Sequence, residues 1–334
     1  MVEQRERLWD YEAVRPGQAG RTTQVLLTPE NIAQYALVSQ NMDPRYHRAG
    51  ANTEYGGALM PMPTMVLNYA PLLRDDIADN NGLVALEQSK TARRQTPFAK
   101  CEVRWFGPVQ AGDTITGTRQ VLEKYERRDS QFVVFRVEAT NQRAEKVAEY
   151  DYTCIFKYAA GQRTPPPQAD DQSRSGLQRL NPGSTTAPER FLSFDDLAVG
   201  RALAPLTLSE SQEIINRKND FRLAGKPSPS NIHTDEEFAR KNIFGGTVNA
   251  GPATMSYVDQ MLGRSFSLQA FYEGGRLLMR ALTPFRAGDR VTFQGEVASK
   301  RVDGRRGVVD CQVKGMNQRG ELVCLAEATL ILPR

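Results

Sequence analysis

The chain of 334 residues has few of the side chains from which metal sites and disulfide frameworks are built. It contains two histidines and four cysteines, and no two cysteines are close enough in sequence to form a metal-binding pair. Three of the cysteines fall on the apolar sides of predicted strands, which is typical of buried thiols in a reducing compartment. We therefore expect no bound metal and four reduced cysteines, at Cys101, Cys154, Cys311 and Cys324.

Long apolar runs and an excess of one charge are also missing. No stretch of about 18 apolar residues occurs, and the charged residues 1–7 lack the apolar core of an export signal. The formal net charge of +4 is too small for a dedicated nucleic-acid surface. Walker loops, dinucleotide fingerprints and nucleophile elbows are absent as well. The sequence thus predicts a cytoplasmic protein that binds neither membranes nor nucleic acid.

The main feature that the sequence does contain is an internal repeat. PVQAGD at residues 108–113 recurs as PFRAGD at residues 284–289, and NQR at residues 141–143 recurs at residues 317–319. Each pair of segments is 176 residues apart. Because the separation is constant over this span, the two stretches share a register, and we predict two copies of a unit of roughly 150 residues.

The predicted units comprise residues 8–158 and residues 191–334. Between them, residues 159–190 include three consecutive prolines and are rich in Gln, Ser, Asp and Arg, with almost no apolar periodicity. Such a composition is typical of a linker. We expect the two units to pack side by side as a pseudodimer.

Each unit is predicted to combine one helix with an antiparallel meander. Val133 and Phe135 alternate with residues of the opposite face, a period of two that indicates a strand with one buried face, and this face recurs at Val309 and Cys311. Asp-Gly and Arg-Gly dipeptides between the strands of the second unit suit hairpin turns. Apolar residues at helical spacing predict central helices at residues 63–73 and 252–262. A long helix on an antiparallel sheet is an α+β layer pair.

The two histidines occupy matching positions in the two units. His47 lies upstream of YGG at residues 55–57, and His233 lies upstream of FGG at residues 244–246. In both units a predicted helix follows the Gly-Gly turn. Because histidine is the side chain that titrates near neutral pH, we expect any chemistry of this chain to lie in these loops.

This pattern resembles the double hotdog proteins of the MaoC-like (R)-specific enoyl-CoA hydratase and dehydratase family. The active loop of that family reads approximately GDxNPxH, followed by an acidic residue, a short helix, FGG and a glycine at the start of the central helix. The second unit reads SPSNIHTDEEFA at residues 228–239 and FGGTVNAG at residues 244–251, and the first reads NMDPRYH at residues 41–47. The resemblance implies two tandem hotdog units.

The same resemblance implies an activity. It predicts a lyase of fatty acid metabolism that adds water to, or removes water from, an enoyl thioester of coenzyme A or acyl carrier protein. Coenzyme A would enter only as part of the substrate, with no other cofactor, and the chain would form a homodimer. A hotdog thioesterase and a non-catalytic acyl-thioester-binding subunit are the alternatives that the sequence leaves open.

Both loops depart from the Asp-His pair of the family. Ser228 stands at the position of the catalytic aspartate in the second unit, and Asn41 stands there in the first, where Asp43 takes the place of the motif asparagine. Neither unit therefore carries the complete pair. The departure indicates an unusual acyl group, altered chemistry or lost activity.

Hydration of an enoyl thioester needs a general base, a proton donor and stabilisation of the thioester oxygen. His233 is the candidate acid–base residue, the alternative being a structural histidine. Asn231 either orients water or the thioester, or forms an ordinary loop turn. The resemblance assigns the oxyanion role to the N–H of Gly251, where the missing side chain would leave room for a carbonyl, and we add Gly246 and Asn249 as candidate substrate-binding residues.

The first unit offers a different possibility. Its loop could complete a composite site in which Asp43 supplies the missing carboxylate, with His47 beside it. Alternatively, the first unit is a degenerate scaffold, and we favour this interpretation. Pro61 and Pro63 stand where an accessible N–H is needed, and proline has none to donate.

Overall fold

The computed structural model describes residues 6–159, 161, 190–226 and 230–334. Ser228 and nearly all of the predicted linker at residues 159–190 lie outside the described residues. In chain order the strands are β1 (Leu8–Trp9), β2 (Thr23–Leu26), β3 (Val84–Ala85), β4 (Phe98–Trp105), β5 (Thr114–Arg127), β6 (Ser130–Thr140), β7 (Lys146–Lys157), β8 (Leu206–Ser209), β9 (Arg276–Ala281), β10 (Arg290–Asp303), β11 (Arg306–Asn317) and β12 (Leu322–Pro333). The helices are α1 (Pro29–Val38), α2 (Val66–Tyr69), α3 (Arg74–Asn80), α4 (Gln212–Asp220), α5 (Glu236–Lys241), α6 (Gly251–Gly263) and α7 (Gln269–Tyr272).

Ten of these strands form one antiparallel sheet in the order β2-β5-β6-β7-β4-β9-β12-β11-β10-β8. The two units contribute five strands each, and they join where β4 pairs with β9. Val133 lies opposite Cys154 on the neighbouring strand, and Val309 lies opposite Leu330, which is the same pair 176 residues later. The side-by-side packing of two equivalent meanders is therefore confirmed.

The predicted strand faces are also confirmed. Val133 and Phe135 are fully buried, and so are Val309 and Cys311 at the equivalent positions of the second unit. The hairpin turns fall where the dipeptides predicted them, with Gly304 and Gly320 in the left-handed region at φ of 58° and 76°. All four cysteines are free and buried, as expected.

The central helix predicted for the second unit is confirmed as α6. Met255, Val258, Met261 and Leu262 of this helix are all inaccessible to solvent beneath the sheet. Full burial of such a side chain contributes about 1.5–3 kcal/mol relative to exposure. This apolar stripe is what holds α6 across the sheet.

The central helix predicted at residues 63–73 is wrong. The chain forms a 3-10 turn at Pro63–Met65 and the four-residue α2, and it leaves the helical conformation at Ala70, with φ of −128° and ψ of 70°. Ala70 precedes Pro71, and a residue before proline is disfavoured in the α region because the proline ring clashes with its backbone. The two units therefore have equivalent strands, but the second unit packs the long helix α6 on them, whereas the first has only a 3-10 turn and the short α2 in that place.

None of the helices in the described part of the chain is both long enough and apolar enough to cross a membrane.

Candidate active site

A cavity of about 670 Å³ lies between the two units, beside the N-terminus of α6. One wall comes from the loop before α6 and the other from the start of β4 and the strands next to it. The second unit contributes His233, Val248, Asn249 and Gly251, and the first contributes Arg74, Thr96, Phe98 and Tyr152.

His233 lines this cavity, and its ring is held through one nitrogen. Its Nδ1 lies 2.8 Å from the carbonyl oxygen of Val248. Because a carbonyl can only accept, Nδ1 carries the proton and donates it, so Nε2 has a lone pair, and no described residue donates a hydrogen bond to it. Burial lowers the pKa of His233 to about 4, which keeps the ring neutral at physiological pH. A neutral imidazole with a free Nε2 is suited to act as a general base.

The loop that carries His233 is held by its own side chains. The Oδ1 of Asn231 accepts the backbone N–H groups of His233 at 2.8 Å and of Thr234 at 3.2 Å. Asn231 does not contribute to the cavity wall, so its placement favours the turn interpretation over contact with water or substrate. Asp235 caps α5, accepting the N–H of Phe238 at 3.0 Å.

A first-unit arginine also holds this loop, which the sequence did not reveal. The Nη2 of Arg93 donates to the carbonyl oxygen of Ser230 at 2.6 Å, and its guanidinium lies 4.3 Å from the ring centroid of Phe238. Arg93 belongs to a stretch that has no counterpart in the second unit. Arg93 therefore links the His233 loop of the second unit to the first unit.

Gly251 begins α6 and lines the cavity together with His233. Its N–H donates no hydrogen bond to any described residue, Pro252 has no N–H, and the N–H of Ala253 already donates to Ala250 at 3.0 Å. The N–H of Gly251 is thus the first available donor at the positive end of the helix dipole. This placement supports the oxyanion role that the resemblance implies.

The missing side chain of Gly251 has a different role from the one expected. We expected the missing side chain to leave space for a substrate carbonyl. Instead, a Cβ atom built on Gly251 would lie 2.2 Å from Cγ of Phe98. The space above the Cα atom of Gly251 is therefore filled by a ring from the first unit, and glycine is required because that ring packs directly on the helix.

The two other predicted substrate-binding residues differ in position. Asn249 lines the cavity, but its side chain binds Glu210 and the N–H of Ala250. Gly246 is buried and lies outside the cavity wall, in a turn whose flanking carbonyl groups accept hydrogen bonds from Arg286. Gly246 therefore does not contact the cavity.

The first-unit candidates lie at the opposite end of α6. Asp43 accepts the Nε and Nη2 atoms of Arg45 at 3.0 and 2.7 Å, and Arg45 Nη2 also donates to the carbonyl of Gly263, the last residue of α6. The Nε2 of His47 lies 2.7 Å from the carbonyl oxygen of Asn41. At 1.5 Å per residue, the length of α6 separates this cluster from Gly251 by roughly 18 Å. The structure does not bring Asp43 or His47 to the cavity, so the composite site is not formed.

Known proteins share parts of this architecture. Residues 16–150 match the family model of the FAS1-like dehydratase domain region. The chain is similar in structure to a MaoC-like dehydratase, with a TM-score of 0.68 at 18% identity over 95% of this chain and 98% of the other. A protein from Chloroflexus aurantiacus, assigned as a MaoC domain dehydratase, gives a TM-score of 0.68 at 15% identity over 100% and 99% of the two chains. No curated protein sequence matches the chain.

A third similar structure has a named fold. It is a conserved hypothetical protein from Mycobacterium tuberculosis with a double hotdog fold, and it gives a TM-score of 0.59 at 13% identity over 97% of this chain and 99% of its own. The chain has the double hotdog fold. The predicted α+β class is thereby confirmed, as is the resemblance to dehydratase-type hotdog proteins.

The two halves of this double hotdog differ at the helix start. In the first unit, the hydroxyl of Tyr272 donates to the carbonyl of Pro61 at 2.9 Å, and the indole N–H of Trp105 donates to the carbonyl of Pro63 at 3.0 Å. Both aromatic side chains are buried. The region that corresponds to the cavity is therefore packed with side chains, which favours the scaffold interpretation of the first unit.

The charges around the double hotdog cavity are all of one sign. The described residues that line it include no aspartate or glutamate, but they include five basic residues. The inner one, Arg74, is paired with Glu87 at 3.2 Å. The remaining four are Lys100, Arg127, Arg128 and Arg280.

Proposed function

We propose that this double hotdog chain is a hydratase or dehydratase of α,β-unsaturated acyl thioesters with one site per chain. The observation that carries the proposal is that His233 and Gly251 line the same cavity, and that no described residue hydrogen-bonds to the Nε2 lone pair of one or to the N–H of the other. The match of residues 16–150 to a dehydratase family model supports it. The volume of about 670 Å³ is within the usual range for small-molecule sites.

In the hydration direction, the Nε2 of His233 takes a proton from water while the water oxygen bonds to the β carbon. The π electrons of the double bond move toward the thioester, and the N–H of Gly251 stabilises the charge on its oxygen. The imidazolium then returns the proton to the α carbon. Since the described cavity wall has no carboxylate, His233 serves as both base and acid, and dehydration is the reverse of these steps.

The cavity mouth favours coenzyme A as the thiol part of the substrate. Lys100, Arg127 and Arg128 form no ion pair with any described residue, and each can approach a phosphate. Arg128 and Asp129 form the two-residue turn between β5 and β6, both in the left-handed region at φ of 50° and 58°, a turn type that matches the twist of a hairpin. A mouth with this charge attracts a polyanion such as the phosphates of coenzyme A.

The experiment is incubation with crotonyl-CoA and longer enoyl-CoAs, followed by the absorbance of the conjugated thioester and by free-thiol release. Loss of conjugation without thiol release is the expected result. Thiol release would show a thioesterase, and binding without change would show a non-catalytic subunit, so either result contradicts the proposal. Cytoplasmic location and homodimer assembly stay predictions.

The two histidines provide a matched pair of variants for this assay. His233→Asn keeps a donor where Nδ1 meets the Val248 carbonyl and removes Nε2, and turnover should fall by about 10²-fold or more. His47→Gln keeps a donor to the Asn41 carbonyl at the far end of α6. We expect this variant to retain at least half of the activity. Equal loss in both variants would contradict the assignment of the site.

A further inference from the structure

A buried carboxylate replaces a core leucine in only one of the two units. Glu210 follows β8 and is 4% exposed, and its backbone N–H donates to the carbonyl of Asp289 at 2.9 Å. At the equivalent place in the first unit, the N–H of Leu27 donates to the carbonyl of Asp113 at 2.9 Å. Leu27 is fully buried in the apolar core. The carboxylate is therefore found in the unit that carries His233 and Gly251, and burying it is unfavourable without compensating hydrogen bonds.

Glu210 uses its side chain to hold the segment that leads into α6. Its Oε2 accepts the Nδ2 of Asn249 at 2.6 Å and the hydroxyl of Tyr257 at 2.8 Å. The Oδ1 of Asn249 in turn accepts the N–H of Ala250 at 2.8 Å. Both ends of the Asn249 amide are thus engaged, and the next N–H along the chain is that of Gly251.

The same short segment holds one reactive group of the cavity and leads into the other. The carbonyl of Val248 fixes the ring of His233, and the N–H of Asn249 donates to the carbonyl of Phe285 at 2.6 Å. Gly251 follows two residues later. A shift of this segment would move both the His233 ring and the Gly251 N–H. The contacts that hold Asn249, at the centre of the segment, therefore determine where these two groups lie.

We infer that Glu210 is a positioning residue that, through Asn249, fixes the direction of the Gly251 N–H toward the thioester oxygen. This inference rests on the function proposed above. It concerns acceptor geometry and not charge, because Oε2 can accept from Asn249 whether or not the carboxyl is protonated. The charged groups that act on Glu210 are Lys218, which favours its ionised form, and Asp289, which opposes it.

The test uses a chromophoric enoyl thioester, 4-dimethylaminocinnamoyl-CoA, whose absorption moves to longer wavelength when its carbonyl oxygen accepts a hydrogen bond. Wild type should show this red shift on binding. In Glu210→Leu, which installs the residue found at position 27 of the first unit, we expect at least half of the red shift to be lost. The kcat for crotonyl-CoA should fall about tenfold, as expected for a misaligned oxyanion donor, while KM changes little. Glu210→Gln keeps the acceptor and should restore both signals.

Two further variants keep the test independent of folding. Asn249→Ala breaks the same connection without removing the carboxylate and should reproduce the loss. Asp259→Asn changes a second buried carboxylate, which lies in α6, accepts from Thr64 and does not contact Asn249. This control should leave the red shift unchanged, whatever its effect on thermal stability.

The outcomes separate the inference from the proposed function. A folded Glu210→Leu variant with the wild-type red shift and kcat would overturn the role of Glu210. The absence of any red shift in wild type would overturn it too, because no N–H would then meet the carbonyl. If wild type shows the Glu210-dependent shift but does not hydrate any enoyl thioester, the inference stands and the proposed function fails.

Discussion

The neutral state of His233 leads to a specific pH dependence. Burial lowers the pKa of this imidazole from 6.5 to about 4. At pH 6, an imidazole of pKa 6.5 is about three quarters protonated, whereas one of pKa 4 is about 1% protonated. Because kcat/KM reports the ionisation of the free enzyme, its value for crotonyl-CoA should stay flat from pH 8 down to about pH 5. A decline centred near pH 6.5 would refute the assignment of His233 as a buried base.

The same shift predicts a change in stability. Between pH 4 and 6.5 the unfolded chain binds more protons at this residue than the folded protein, so the free energy of unfolding falls as pH falls through this window. The difference between pKa values of 6.5 and about 4 corresponds to about 3 kcal/mol. Above pH 7 the group contributes nothing, because it is neutral in both states.

The measurement is urea denaturation of wild type and His233→Asn at intervals between pH 4.5 and 7.5. Taking the difference between the two proteins cancels other groups, including Glu210 and Asp259, where burial raises the carboxyl pKa to about 7 and about 6. Relative to the variant, wild type should lose stability progressively below pH 6.5. His47→Gln is the control in the same series. A difference that does not vary with pH would show that the ring of His233 titrates normally in the folded protein.

Three other predictions follow from the cavity. Gly251→Ala should lower the free energy of unfolding by about 1–3 kcal/mol through overpacking against Phe98, as measured by denaturant titration. In a Phe98→Ala background the same substitution should cost much less, and an equal cost in both backgrounds would argue against the contact. Replacing both Arg127 and Arg128 by alanine should raise the KM for crotonyl-CoA about fivefold, equivalent to about 1 kcal/mol for two exposed charge contacts. Steady-state kinetics with crotonyl-N-acetylcysteamine, which lacks phosphates, should show no such change, and an equal rise with both substrates would remove these arginines from coenzyme A binding. Calorimetric titration with a slowly reacting acyl-CoA should give one site per chain, and two equal sites would contradict the difference between the units.

Some features could be predicted from the sequence because their signals are local. The period-two faces through Val133 and Val309 and the apolar stripe of α6 each lie within a dozen residues, so alternation or helical spacing is enough to define them. The constant separation of 176 residues then predicts equivalent strands. The histidine loop before Gly251 is likewise contiguous in sequence, which is why both could be assigned to one site.

The remaining features depend on tertiary structure, because they join residues that are distant in sequence. Phe98 reaches Gly251, and Arg93 reaches the loop of Ser230, only because the two units pack together. Glu210 directly follows a short edge strand, with no local pattern to mark it, and its partner Asn249 is 39 residues away. Asp43 has the residue type of a missing catalytic group, yet its neighbour Arg45 pairs with it at the far end of α6. A sequence pattern can place a side chain on an element, but which groups share a cavity is decided by how the elements pack.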